Sequence, residues 1–134
     1  MSEIKIRAIL EIAGFPEDHV NKTLDMKEEL LKKNLKVNTS KVNKAQAVEK
    51  TKFFSGFIEQ ECMVKKLSDI HGIILDHMPS SIEIVEPETI TEDVDDLNPL
   101  LNDLIASIHN YDMILKTLKA ENTILKKQSE KNPK

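Results

Sequence analysis

Hydrophobic and polar residues alternate at the start of the chain, and a period of two is typical of a half-buried β-strand. The apolar phase consists of Ile4, Ile6, Ala8 and Leu10. Gly14-Phe15-Pro16 interrupts the strand, and Pro16 suits the first position of a helix, where its missing N–H costs no bond. The helix predicted to follow runs to about Lys33 and buries the face that carries Val20, Leu24 and Leu31.

The middle of the chain predicts two strands of unequal quality. Residues 35–49 alternate weakly, so we expect an edge strand that is interrupted near Asn43 and protected by lysines. The stretch from Lys52 to Lys65 alternates more clearly, and its buried face is expected to carry Phe54, Gly56, Ile58, Cys62 and Val64. The polar run Glu59-Gln60-Glu61 breaks this alternation and is interpreted as a bulge or a solvated segment.

A second helix and a last strand follow. Ser68 is a good N-cap for the helix, and Pro79 ends it. The inner side of the helix is expected to carry Ile70, Ile73, Ile74, His77 and Met78. Ser81 to Glu86 predicts the final strand. The resulting order predicts an α+β fold of the ferredoxin-like βαββαβ type, an antiparallel sheet with two helices on one face.

Beyond residue 90 the pattern changes to that of a long helix. Asn98-Pro99 is a start signal for a helix, which can begin a turn or two earlier, near Thr91. We therefore divide the chain into an α+β domain at residues 1–90, a dimerising helix at residues 91–128 and a disordered tail at residues 129–134.

This helix carries an unbroken heptad seam. Its d positions are Leu97, Leu104, Tyr111, Leu118 and Leu125, and its a positions are Leu101, Ile108, Leu115 and Asn122. An asparagine at an a position pairs with its copy across a parallel two-stranded interface and fixes the register. Glu121 at g can meet Lys126 at e of a partner helix, and the run 118–127 resembles a turn of a leucine zipper.

The seam predicts a homodimer. A helix lying across its own sheet explains the apolar stripe of residues 97–115, but it does not explain the seam residues that follow. The 31 residues from Asn98 to Gln128 also span about 46 Å as a helix, which exceeds the ~30–35 Å width of a compact domain of ninety residues. The predicted dimer interface comprises Leu101, Leu104, Ile108, Tyr111, Leu115, Leu118, Asn122 and Leu125.

Charge argues against one class of partner. The 134 residues include 23 acidic and 19 basic side chains, with a formal net charge of −4, and Arg7 is the only arginine. Arginine is the usual residue for gripping phosphates and reading bases, so we do not expect sequence-specific nucleic-acid binding. The chain is rich in lysine after Lys116. A basic arm that binds an acidic partner is therefore an alternative interpretation of this end.

Other features bear on the compartment. No apolar run approaches the roughly 20 residues needed to cross a bilayer, so a membrane protein is not expected. The N-terminus shows no signal-peptide pattern. Cys62 is the only cysteine, so we expect no intrachain disulfide and a reducing, cytoplasmic setting.

No pattern of residues predicts catalysis, a metal site or a cofactor. His71 and His77 are six residues apart, so they do not share a helix face, and zinc-binding helical pairs need a spacing of four. The chain contains no G-x-S-x-G, no P-loop and no G-x-G-x-x-G sequence. The acids between Glu83 and Asp103 lack the paired, buried context of acid–base catalysis. We therefore expect a protein that is not an enzyme.

One short stretch echoes an RNA-binding motif. Gly56-Phe57-Ile58 resembles part of the RNP1 pattern, in which aromatic side chains on a strand stack on bases. Ser55 and Gln60 stand where that pattern has aromatic residues. We therefore assign the phenylalanines of this segment, Phe53, Phe54 and Phe57, to core packing.

Another stretch, Leu10 to Pro16, resembles the glycine-bearing first strand-to-helix turn of ACT-like regulatory domains. That resemblance implies a binding site for an amino acid at a dimer interface. Gly14 is also explained as a turn residue that needs an unusual backbone angle.

The sequence thus predicts a small cytoplasmic assembly or adaptor module that homodimerises through its C-terminal helix and presents a composite surface to a protein partner. An ACT-like small-molecule-binding regulatory domain is the first alternative. A nucleic-acid-binding protein that uses the lysine-rich tail is the second.

Overall fold

A computed structural model of the protein describes residues 3–131. The chain divides into two compact units, Met1–Thr91 and Glu92–Lys134, which we call the sheet unit and the helix unit. The elements are β1 (Ile4–Gly14), α1 (Glu17–Asn34), β2 (Lys36–Ala47), β3 (Phe54–Val64), α2 (Leu67–His77), β4 (Ser81–Glu86) and α3 (Val94–Lys131). The predicted α+β class and its long C-terminal helix are confirmed.

The four strands form one antiparallel sheet in the order β2-β3-β1-β4. The central strands β1 and β3 pair without interruption, from Ile4 opposite Val64 to Gly14 opposite Phe54. At the edge, β2 pairs with β3 but shifts register between Asn43 and Gln46. The predicted edge strand and its interruption at Asn43 are therefore confirmed.

Both shorter helices cover the same face of this sheet. The alternation of β1 sends Ile4, Ile6, Ala8 and Leu10 inward, and all four are buried. One end of this buried row packs with α1 through Val20, Leu24 and Leu31. The other end packs with α2 through Ile70 and Ile73. The row therefore supplies two neighbouring hydrophobic clusters, one under each helix, and each buried side chain of this type contributes roughly 1.5–3 kcal/mol.

The bulge predicted at Glu59-Gln60-Glu61 is wrong. Pairing of β3 with β1 continues through these residues in regular register. Gln60 therefore keeps the inward phase and is almost fully buried, while the two glutamates point to the other face. The polar composition of the run hid a regular alternation.

The helix starts differ from the predicted ones by a few residues. Pro16 is the N-cap of α1 rather than its first helical residue. Helix α2 begins at Leu67, before Ser68, and the Asp69 carboxylate accepts hydrogen bonds from the backbone N–H groups of Lys65 and Lys66 at 3.1 Å. Asp69 thereby satisfies backbone donors that a helix start leaves without intrahelical partners.

Helix α3 begins at Val94, one turn before Asn98-Pro99 and within the earlier range that the sequence allowed. The Asp93 carbonyl accepts bonds from the N–H groups of Asp96 and Leu97, and Pro99 lies inside the first turns. Residues 129–131, expected in a disordered tail, are helical. The rest of that predicted tail, residues 132–134, lies outside the described residues.

Helix α2 buries a narrower face than predicted. Ile70 and Ile73 are buried, but Ile74 and Met78 are exposed and His77 is half-buried. Through these two residues α2 packs on Ile4 and Ile6 of β1 and on Cys62 and Val64 of β3. The flanking apolar side chains consequently stay at the surface.

We predict opposite effects for alanine at two glycines. A Cβ at Gly56 would lie 2.7 Å from the Asn43 carbonyl oxygen and 2.5 Å from Leu24 Cδ1, whereas a Cβ at Gly72 would meet nothing within 4 Å. Gly56→Ala should lower the free energy of unfolding by about 1–3 kcal/mol through overpacking. Gly72→Ala, in a helix, should raise it by about 0.5–1 kcal/mol. Urea denaturation of both variants tests this, and equal effects would contradict it.

Candidate functional site

The predicted interface residues all lie on α3, and each of them is exposed. The heptad seam runs from Leu97 to Leu125, about 42 Å along the helix axis. The seam side chains and their flanks leave a stripe of apolar surface on the helix. The exposed seam residues are Leu101, Leu104, Ile108, Tyr111, Leu115, Leu118, Asn122 and Leu125.

A shallow groove follows the second half of this seam. It is lined by Leu115, Leu118, Lys119, Glu121, Asn122 and Leu125. Its floor is apolar, while Asn122 supplies an amide and Glu121 a carboxylate at its side. In knobs-into-holes packing each a or d side chain enters a hole formed by four residues of the facing helix, and this apolar groove can form part of such a hole.

Charges along α3 support the helix itself. Asp95 and Asp96 lie in its first turn, where the helix dipole favours negative charge. Lys116 pairs with Asp112 one turn earlier, at 2.8 Å between Nζ and Oδ2. Exposed pairs of this spacing contribute about 0.3–0.5 kcal/mol each.

The sheet unit contains a cleft that the sequence did not indicate. Its volume is about 680 Å³, and its walls come from the ends of α1 and β3, the start of β2 and one side of α2. Lys36 crosses its mouth to the Glu3 carboxylate, with Nζ 2.9 and 3.0 Å from the two oxygens. Asp76 and His77 line the α2 side. We call this space the α2 cleft.

A hydrogen bond joins α1 to α2 beside the cleft. Lys27 Nζ lies 3.0 Å from His77 Nδ1, so the ammonium group donates to a neutral imidazole. Burial lowers the pKa of His77, and the charge of Lys27 lowers it further. Both causes favour the neutral ring, which is the form that accepts this bond.

The only arginine is occupied by carboxylates. Arg7 lies on the sheet face opposite α1 and α2, which we call the open face of the sheet unit. Its guanidinium contacts Glu61 at 3.0 Å, Glu83 at 3.3 Å and Glu59 at 4.0 Å. The hydrogen bond that Arg7 donates to Glu61 is the main cause that raises the pKa of Arg7, and the three carboxylate charges add to it.

A polar chain crosses the other side of the sheet. Gln60 Nε2 donates to Ser40 Oγ at 3.0 Å, and Ser40 donates in turn to a Glu28 carboxylate oxygen on α1 at 2.6 Å. The chain explains how Gln60 is buried without leaving its amide N–H groups unbonded. Beside it, burial raises the pKa of the Cys62 thiol, so the thiolate that makes cysteine reactive is disfavoured.

The turn that resembles an ACT-like site does not require its glycine. No glycine among residues 3–131 has a positive φ angle. A Cβ at Gly14 would meet only Val20 Cγ2, at an ordinary 3.6 Å. The interpretation of Gly14 as a residue with an unusual backbone angle is therefore wrong, and Gly14 does not line the α2 cleft.

The assignment of all three phenylalanines to the core is also wrong. Phe54 packs against the α1 side of the core. Phe53 and Phe57 are 55% and 38% exposed, on the opposite phase of the strand. The predicted alternation of this strand, with Phe54 on the buried face, puts Phe53 and Phe57 in the opposite phase, and the structure agrees with the alternation rather than with the assignment to the core.

Two features are absent from the part of the chain that the structure describes. No group of three or more His, Cys, Asp or Glu side chains within residues 3–131 is placed to hold a metal ion. Over the same range, no helix has the length and apolar character needed to cross a membrane.

The fold defines a class: a four-stranded antiparallel α+β unit followed by a long helix with an apolar seam. Within that class the chain belongs to the MJ0538 family, whose model matches residues 5–132. The match covers both the sheet unit and the seam of α3. No curated protein and no solved structure matches the chain.

We predict that Lys27→Gln raises the pKa of His77, because it removes the neighbouring charge but leaves the ring half-buried. The pKa should stay below the ordinary value, since burial is the larger cause. An NMR titration of the imidazole measures it, with Lys33→Gln on the same helix as the control. An unchanged pKa in Lys27→Gln would show that the two groups are not in contact.

The lowered pKa of His77 also makes the free energy of unfolding depend on pH. As pH falls below about 6.5, the unfolded chain binds a proton at His77 before the folded chain does. This contribution to the free energy of unfolding is therefore complete above pH 6.5 and is lost as pH falls through the folded pKa.

Proposed function

We propose that the protein is a non-enzymatic assembly module that homodimerises through α3 in a parallel coiled coil. The observation that carries the proposal is the exposed heptad seam, which is apolar at every a and d position except Asn122. An exposed apolar stripe of this length is unfavourable in water, and a second copy offers an identical stripe. The dimer in turn would present two sheet units to a protein partner.

Two polar residues favour the parallel arrangement. In a parallel pair, each Asn122 meets its own copy at the same level and the two amides bond to each other. Glu121 at g and Lys126 at e of the partner helix then lie within reach of an ion pair on both sides. In an antiparallel pair, Asn122 would face a d position of the other helix and lose its amide partner.

The first half of the seam is wider than a two-stranded interface needs. Leu100, Ile105 and Ile114 occupy g and e positions, where charged residues are usual. The second half has Lys119, Glu121 and Lys126 at the equivalent positions, so it suits a two-stranded zipper. We propose that the second half sets the register and that the first half contacts further apolar surface.

The proposal also includes a ferredoxin-like fold for the sheet unit and a cytoplasmic location for the protein. The element order and the strand order β2-β3-β1-β4, with all pairs antiparallel, support a ferredoxin-like βαββαβ sheet unit. A single buried free cysteine supports a reducing, cytoplasmic compartment, where thiols are kept reduced.

We predict that Leu118→Asp abolishes the dimer. An aspartate at a d position would be buried between helices without a partner, which costs more than the lost leucine contacts. Light scattering on a sizing column should then give the 15.3 kDa mass of one chain instead of twice that mass.

Ile124→Asp provides a matched control. Ile124 is 55% exposed and Leu118 is 54% exposed, and the two lie one or two turns apart on α3, but Ile124 occupies a c position outside the seam. The Ile124→Asp variant should therefore remain dimeric. A native protein that is already monomeric, or equal loss of the dimer in both variants, would refute the interface.

We further predict that Asn122→Leu raises the melting temperature of the dimer and broadens its association states. A leucine at this a position adds apolar contact and removes the amide pair that fixes register and partner number. Light scattering and thermal denaturation measure the two effects. If neither property changes, the assignment of Asn122 to an a position is wrong.

A further inference from the structure

The open face of the sheet unit carries exposed phenylalanines at one end. Phe57 lies on β3 with its side chain on this face, and Phe53 continues the same alternation just before the strand. Phe15, which follows β1, is 62% exposed and comes directly after Gly14, the residue that pairs with Phe54. Three aromatic rings are thus presented at the same end of adjacent strands.

The spacing of two of these rings leaves room between them. Phe53 and Phe57 are about 13 Å apart along the strand direction. Ser55 lies between them on the same face, and its neighbours across the sheet are Ala13 and Gln46. All three are small or unbranched side chains, so a flat group can lie between the two rings.

Lysines surround this end of the sheet. Residues 36–53, which form β2 and the turn into β3, carry five lysines and only one acid, Glu49. Lys36 pairs with Glu3, but none of the remaining four forms an ion pair with any residue from 3 to 131. Lys41 lies opposite Glu59 in the register of β2 with β3, so the three exposed lysines near the phenylalanine end are Lys44, Lys50 and Lys52.

We propose that this end of the open face binds single-stranded nucleic acid, with bases stacked on Phe53 and Phe57 and phosphates next to the lysines. Exposed aromatic rings bind unpaired bases through stacking, and a basic groove follows the backbone. Neither contact needs arginine. The occupation of Arg7 by three glutamates therefore argues against base-specific reading but not against this mode.

Three acids of the open face lie around Arg7 rather than beside Phe53. Glu59, Glu61 and Glu83 surround Arg7, which offsets part of their charge. Glu11 lies opposite Phe57 in the pairing of β1 with β3. A carboxylate at that position can accept a hydrogen bond from the amino group of a base, as glutamate does with cytosine.

The test is fluorescence anisotropy of the full-length protein with labelled twelve-residue oligouridine and oligothymidine at low salt. Phe57→Ala should weaken binding at least about fivefold, the lower limit for losing one stacked base. Lys50→Ala should reduce the slope of log affinity against log salt by about 0.7, the value for one phosphate contact on a single strand. Binding of either oligonucleotide supports the proposal.

Matched controls lie on the helices of the other face. Leu30→Ala removes an exposed apolar side chain from α1, and Lys33→Ala removes an exposed lysine from the same helix. Both should bind as the native protein does. Phe57→Ala should also keep its melting temperature, since the ring is not in the core.

Four results would overturn the proposal. They are no binding at low salt, equal losses in Phe57→Ala and Leu30→Ala, equal affinity for a duplex of the same length, and tighter binding of polyglutamate than of either oligonucleotide. The last result would mean that the face binds an acidic protein segment instead.

Discussion

The uninterrupted pairing of β1 with β3 is the constraint on which the other features of the sheet unit depend. Side chains alternate between two faces along a strand, so the register fixes at once which residues can enter the core. It sends the aliphatic row of β1 toward α1 and α2. The same register sends Arg7 and its glutamates, together with Phe57, to the open face.

This constraint explains why the fold was more predictable than its surfaces. The buried positions of β1 and α1 follow from local periodicity, and the sequence indicates them directly. The inward position of Gln60 and the outward position of Phe57 follow from the pairing partner, which lies about fifty residues away in the chain. Judging each side chain by its own polarity misassigned both residues, although the alternation predicted for the strand already put Phe57 in the phase opposite to Phe54.

The candidate sites also differ in whether local sequence spacing can reveal them. A heptad seam is a property of one helix, so its spacing can be seen in the sequence. The α2 cleft and the contact between Lys27 and His77 bring together residues that are fifty positions apart. The phenylalanine end of the open face likewise combines the end of β1 with the turn before β3. No spacing rule in the sequence connects such positions, since the sheet is what brings them together.

The two proposed surfaces have complementary consequences. A face with two stacking rings and three nearby lysines in an acidic protein offers few contacts per strand, so a single copy would bind a single strand weakly. Joining two copies through α3 makes the second contact intramolecular for any strand long enough to reach both faces, which raises the apparent affinity without new contacts. A dimer-disrupting substitution in the seam would then weaken binding of long strands while leaving short strands unaffected. Under the two proposals, association through the helix and recognition by the sheet would be separate properties of the chain, and a substitution could remove one without the other.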